Sequence, residues 1–132
     1  MITVIYGRKD DDVLVAYKEA REQFLKAYPD AQHLGIDGDS WDRAYFEEIT
    51  FGSSLFTSPN LVTCSGVIPL SDARECIESN LEMLASSPHL ILIREEIISS
   101  DFVDKLIAVG ATVFCKDKSS AELAKEKAVL VQ

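Results

Sequence analysis

A chain of 132 residues with 47% hydrophobic content is sized for one folded unit with a real core, which excludes a disordered segment. Its formal charge of −9 excludes a domain that grips a phosphate backbone by itself, since nucleic-acid binding draws on clustered Lys and Arg that release counterions. Apolar runs such as Leu90-Ile91-Leu92-Ile93 fall far short of the roughly 20 residues that cross a bilayer, and Met1 leads into a strand pattern rather than a secretory leader, so a cytoplasmic protein without membrane contact is expected.

The first apolar run, residues 2–6, reads as a strand, and the turn after it, Tyr6-Gly7-Arg8-Lys9-Asp10-Asp11-Asp12, is the most informative stretch of the chain. In α/β nucleotide-binding proteins that turn holds phosphate, using several glycines to bring backbone N–H groups close and a Lys-Ser/Thr pair for charge and magnesium. Here Gly7 stands alone, and Asp10, Asp11 and Asp12 fall where the next helix presents its partly positive end. The expectation is a scaffold of nucleotide-binding type that holds no nucleotide and no other cofactor.

Residues 11–27 form the first predicted helix, with Val13, Tyr17, Ala20, Phe24 and Tyr28 inward and Arg21, Glu22 and Lys26 outward, stopped by Pro29-Asp30. A second strand covers residues 33–36. Asp37-Gly38-Asp39-Ser40 then supplies an N-cap to a short helix striped by Trp41, Tyr45 and Ile49. Residues 51–60 read as a loop rich in Gly, Ser, Thr and Pro that nonetheless carries two large apolar neighbours, Leu55 and Phe56. Either the pair projects as an anchor for a pocket on a partner, or Phe56 packs under the sheet edge with Leu55 covering it.

A third strand covers residues 61–64, and a helix capped by Ser71 runs through Leu84 with Ala73, Cys76, Ile77, Leu81 and Leu84 buried. Strands at residues 90–93 and 111–115 flank a helix at 101–109 that has Ser100 as N-cap and Gly110 in the left-handed C-terminal position. Ser119 or Ser120 opens a last helix carrying Ala121, Leu123, Ala124 and Ala128, and the apolar run Val129-Leu130-Val131 suggests a longer protein cut at a domain edge. Alternation of strand and helix makes the expected fold a single α/β domain over residues 1–132. It is a three-layer sandwich whose five-stranded, mainly parallel sheet is flanked by helices.

Cys64, Cys76 and Cys115 lack CxxC spacing and read as reduced, structural thiols. His33 and His89 have no partner at metal-ligand spacing, and no G-x-G-x-x-G follows any strand. Asp10, Asp11 and Asp12 could instead be the metal-binding acids of a receiver-like or small α/β enzyme. That alternative lacks a phosphoacceptor Asp after the third strand and a Ser or Thr after the fourth, where the chain reads Arg94-Glu95-Glu96, although Lys116 after the fifth strand fits it.

Taken together, Tyr6-Gly7, the acidic helix start before Val13-Leu14-Val15, Ser54-Leu55-Phe56 ahead of Leu61-Val62, and the later strands Leu90-Ile91-Leu92-Ile93 and Gly110-Ala111-Thr112-Val113-Phe114 resemble a known family. It is the N-terminal domain of the delta subunit of bacterial DNA polymerase III, the clamp-loader component that opens the sliding clamp. The resemblance spans about the first 115 residues and implies a P-loop/AAA+-like fold without a functional P-loop and without catalysis of its own. It also implies that Leu55 and Phe56 insert into a hydrophobic pocket on the clamp, with Ser54 shaping the turn. The implied partners are the sliding clamp and the other loader subunits, with DNA met only through the assembly. Arg8-Lys9 departs from the acidic residues usual after Tyr-Gly, and Ser99, Ser100 and Asp101 stand where the family is basic.

Overall fold

Runs that bury both faces build the centre of the sheet. β1 (Ile2–Tyr6), β3 (Leu61–Ser65) and β4 (Leu90–Glu95) carry buried residues at consecutive positions, as central strands of parallel sheets do. β2 (His33–Asp37) is fully buried only at Ile36 and β5 (Thr112–Cys115) only at Val113, and these two are the edges. The structure, a computed structural model, describes residues 1–51 and 59–116. All five strands pair in parallel in the order β2-β3-β4-β1-β5. Val4 faces Ile93 on one side and Val113 on the other, and Val62 lies between Leu34 and Ile91.

That order dictates the layers. Between β1 and β2 runs α1 (Asp10–Ala27), and this step goes toward the β2 edge. The later steps all run back the other way, through α2 (Arg43–Phe51), the pair α3 (Ser71–Ser79) and α4 (Leu81–Ser86), and α5 (Ser100–Ala108). If every crossover is right-handed, α1 must cover one face alone and α2 to α5 the other. The core divides in that way: Val13 and Phe24 of α1 pack with Ile5, Leu61, Leu90 and Leu92. Phe46, Ile77, Leu84 and Phe102 from the other helices pack with Val4, Val62, Ile91 and Ile93. The expected three-layer α/β architecture is therefore present, and the sheet is parallel throughout.

Several helix boundaries differ from the sequence reading, some of them where a polar side chain bonds the backbone. The helix expected from Ser71 to Leu84 is broken at Asn80, whose Nδ2 donates to the Cys76 carbonyl at 2.7 Å. Ser71 is not its side-chain cap, since Leu70 holds the N-cap position. At α5 the cap is Ser99 rather than Ser100, its Oγ accepting from the Phe102 amide at 3.3 Å. Asp37 caps a single 3-10 turn, Gly38–Ser40, in a reciprocal box with Ser40, and Asp42 accepts from the Tyr45 amide at the start of α2. With α2 starting later than expected, Phe46 turns inward and Tyr45 outward. Trp41 precedes the helix, half-buried against the Phe46 ring at 5.3 Å, and its Nε1 donates to Asp72 at 2.8 Å.

Tyr28 lies past the end of α1 and is exposed, touching the Phe24 ring at 5.0 Å. Arg21 folds over the Tyr17 ring rather than pointing away. Cys64, Cys76 and Cys115 are free thiols, and burial pushes Cys64 up to about 12, consistent with a core role. Among the described residues no helix is long and apolar enough to cross a membrane. The helix expected after Ser119 lies outside the described residues.

At the carboxyl ends of β2 and β3 the backbones of two glycines meet. A Cβ on Gly38 would sit 2.5 Å from the Gly66 carbonyl oxygen, and Gly66 itself holds φ +68. Backbone cannot yield as a flexible side chain would, so Gly38→Ala is expected to cost about 1–3 kcal/mol. Urea denaturation would read this as a lowered midpoint at an unchanged slope.

Candidate functional site

Adjacent strands β1 and β4 send their connections to opposite faces, α1 to one and α5 to the other, and in open α/β sheets a crevice forms at the carboxyl ends of such a pair. A cavity of about 660 Å³ lies there. Gly7, Asp10, Asp11, Val13 and Leu14 line it from β1 and α1. Ser65 ends β3, Gly66 and Pro69 come from the turn after it, Arg94 and Glu95 end β4, and Glu96 and Ile97 follow it. The position is that of a nucleotide site, but its chemistry differs.

Three backbone donors beside the cavity are committed to extending the sheet. Gly7, at φ +147, donates its amide to the Glu95 carbonyl at 3.1 Å, and the Lys9 amide donates to Lys116 at 3.1 Å. Gly66 likewise donates to the Arg94 carbonyl at 3.2 Å. The carboxylates then set the sign of the cavity, with Asp10 and Asp11 in the first turn of α1 and Glu95 and Glu96 at the end of β4. Arg94 is the single cation among the described lining residues, and its guanidinium lies over the Tyr17 ring, 5.3 Å from the centroid.

Glu95 is the residue that the sequence reading did not nominate. It is 5% exposed, and its Oε2 accepts from the amides of Val67 at 2.9 Å and Ile68 at 3.1 Å, tying the β3–α3 turn to the end of β4. Burial pushes its carboxyl above the usual carboxylate range, while the amides of Ile68, Val67 and Gly66 pull the other way. The available signal was a Glu closing an apolar strand run and followed by a second Glu, a pattern that more often marks a solvated strand end.

Of the three acids singled out from the sequence, Asp10 and Asp11 reach the cavity and Asp12 does not line it. Among the described residues no three His, Cys, Asp or Glu side chains converge to hold a metal ion. His33 and His89 are apart from the cavity: His33 Nε2 pairs with Thr63 Oγ1 at 3.0 Å, and His89 Nδ1 accepts from the Asn60 amide at 2.9 Å. Burial lowers both imidazoles from their ordinary value, with charge from Arg21 adding to it at His33 and from the chain's amino group at His89.

Ser54, Leu55 and Phe56 lie outside the described residues. The residues that bound them are at the amino ends of the strands, the opposite end of the sheet from the cavity. α2 finishes at Phe51, and Asn60 is pinned just before β3 by its amide to His89 and by Oδ1, which accepts from the Gln32 amide at 3.2 Å. The chain matches no protein-family model and no curated protein.

Because the folded-state value of Glu95 is raised above the unfolded one, its contribution to stability is full below the unfolded value and is lost as pH rises through the folded one. Glu95→Gln, which keeps an acceptor for Val67 and Ile68 without the charge, should therefore be more stable than the parent at pH 7–8, with the gap closing toward pH 4. Asp72 and Glu75, whose values are lowered by hydrogen bonds from Trp41 and Arg43 and from Arg43 and Ser79, act in the opposite sense and are common to both proteins. Glu95→Ala strands two buried donors and should cost about 1–3 kcal/mol throughout. Denaturation midpoints across pH 4–8 check all three proteins, and a Gln variant that tracks the parent across that range would contradict the assignment.

Proposed function

We propose that this is a clamp-loader delta-like domain of the P-loop/AAA+ kind, which binds a DNA sliding clamp and helps to open it without hydrolysing ATP. The observation that carries the reading is the cavity at the end of β1: in the position of a nucleotide site it is lined by Asp10, Asp11, Glu95 and Glu96, and the Gly7 and Lys9 amides are committed elsewhere. A triphosphate there would face like charge and lose backbone partners. The strand order bears on the alternative: β1 lies between β4 and β5, whereas a flavodoxin-like receiver orders its strands 2-1-3-4-5. That difference weighs against the receiver-like reading of Asp10, Asp11 and Asp12.

In this reading Leu55 and Phe56 enter a hydrophobic pocket on the clamp and Ser54 shapes the turn that presents them. The described residues on either side of them, Phe51 at the end of α2 and Asn60, lie at the sheet end remote from the acidic cavity. The other loader subunits are the second class of partner, DNA is met through the assembly, and the setting is the cytoplasm.

Full desolvation of two large apolar side chains is worth roughly 1.5–3 kcal/mol each. Leu55→Ala combined with Phe56→Ala should therefore weaken binding to a purified bacterial sliding clamp by at least about a hundredfold in surface plasmon resonance. The far-ultraviolet circular dichroism should stay that of the parent. A parent that ignores the clamp, or a double variant that binds it equally well, would overturn the proposal.

A further inference from the structure

The acidic cavity plays no part in clamp binding through Leu55 and Phe56, and its lining is specific enough to say what it takes. Its volume of about 660 Å³ falls within the range of small-ligand and side-chain pockets. One wall is apolar: Val13 is buried behind it, Pro69 is exposed, and Leu14 is 37% and Ile97 56% exposed at the cavity. The other contribution is mainly negative, from Asp10, Asp11, Glu95 and Glu96 against the single cation Arg94, whose guanidinium lies over the Tyr17 ring. Low-dielectric walls carrying one sign of charge concentrate the opposite sign.

Each simpler occupant leaves half of this lining unused. A phosphate or nucleotide meets like charge, a bare cation leaves Leu14 and Ile97 in water, and a small apolar molecule leaves the carboxylates without a counter-charge. A long apolar stem ending in a cation satisfies both, which describes the side chains of Lys and Arg. We infer that the crevice between the carboxyl ends of β1 and β4 is a docking pocket for a Lys- or Arg-bearing segment of a partner protein, seated where related folds hold a nucleotide. The stem lies along Leu14, Pro69 and Ile97, and the cationic head meets Asp10, Asp11 and Glu96. The net charge of −9 favours encounter with such a basic partner.

The inference draws on none of Ser54, Leu55 and Phe56, so the two readings fail independently. The probe is an acetylated, amidated hexapeptide of alternating Lys and Leu, titrated into the whole 132-residue chain while amide NMR shifts are followed. The control replaces each Lys by Gln. The Lys peptide should move the amides of Gly7, Asp11, Gly66, Glu96 and Ile97 saturably, with affinity falling severalfold between 50 and 300 mM salt. Asp10→Asn with Asp11→Asn and Glu96→Gln should weaken it more than tenfold. Ile97→Ser, at an exposed position where folding is not at risk, should weaken it severalfold. Leu55→Ala with Phe56→Ala should leave it unchanged. Equal binding of the Gln peptide, shifts centred on the Asp72–Glu75 face instead, indifference to both pocket variants, or no saturable shift would each overturn the inference.

Discussion

A buried carboxylate organises one end of this molecule. Glu95 closes β4 with its side chain turned into the protein, where Oε2 takes the amides of Val67 and Ile68 and its own carbonyl takes the amide of Gly7. Three elements, the ends of β1 and β4 and the turn after β3, are thereby fixed to one residue. The arrangement gives the crevice between β1 and β4 a rigid floor, and that floor carries negative charge whenever Glu95 is ionised. Asp10 and Asp11, placed by the first turn of α1, and Glu96 extend the same sign to the rim. A fold whose topology opens a crevice for anions has been filled in with anions of its own.

The sheet separates this end from the other. At the amino ends of the strands the chain entering β3 is secured by Asn60, through His89 and Gln32, and the connection from α2 arrives there. At the carboxyl ends lies the acidic crevice, where the Gly7 and Lys9 amides are given to backbone partners. The proposed clamp contact and the basic-segment pocket use different chemistry, apolar insertion against charge complementarity.

Much of the fold was legible because the strands announce themselves: the mostly apolar runs at residues 2–5, 61–64 and 90–93, with little polar alternation, suit the middle of a covered sheet. Glycine was legible at Gly110, which ends α5 at φ +86 as its position past the helix suggests. Caps were displaced by a residue or two because Ser99 and Ser100 differ little as acceptors, and only the three-dimensional course of the chain selects between them. The break at Asn80 was hidden because an Asn inside an apolar helical pattern ordinarily faces solvent. The acid run at Asp10 to Asp12 pointed to the right end of the molecule, but Glu95, the acid on which the crevice depends, could not be told from a solvated strand terminus until the Val67 and Ile68 amides were seen to reach it. Ser54, Leu55 and Phe56 rest on the sequence resemblance.

The central claim is that protein charge occupies the crevice where dinucleotide-binding open α/β sheets hold their ligand. Its most direct test is a titration of the chain with magnesium ATP up to millimolar concentration, followed by the amide signals of Gly7, Gly66 and Glu95. The account expects those signals to stay in place; a saturable shift at all three, reporting a triphosphate bound beside β1, would contradict it.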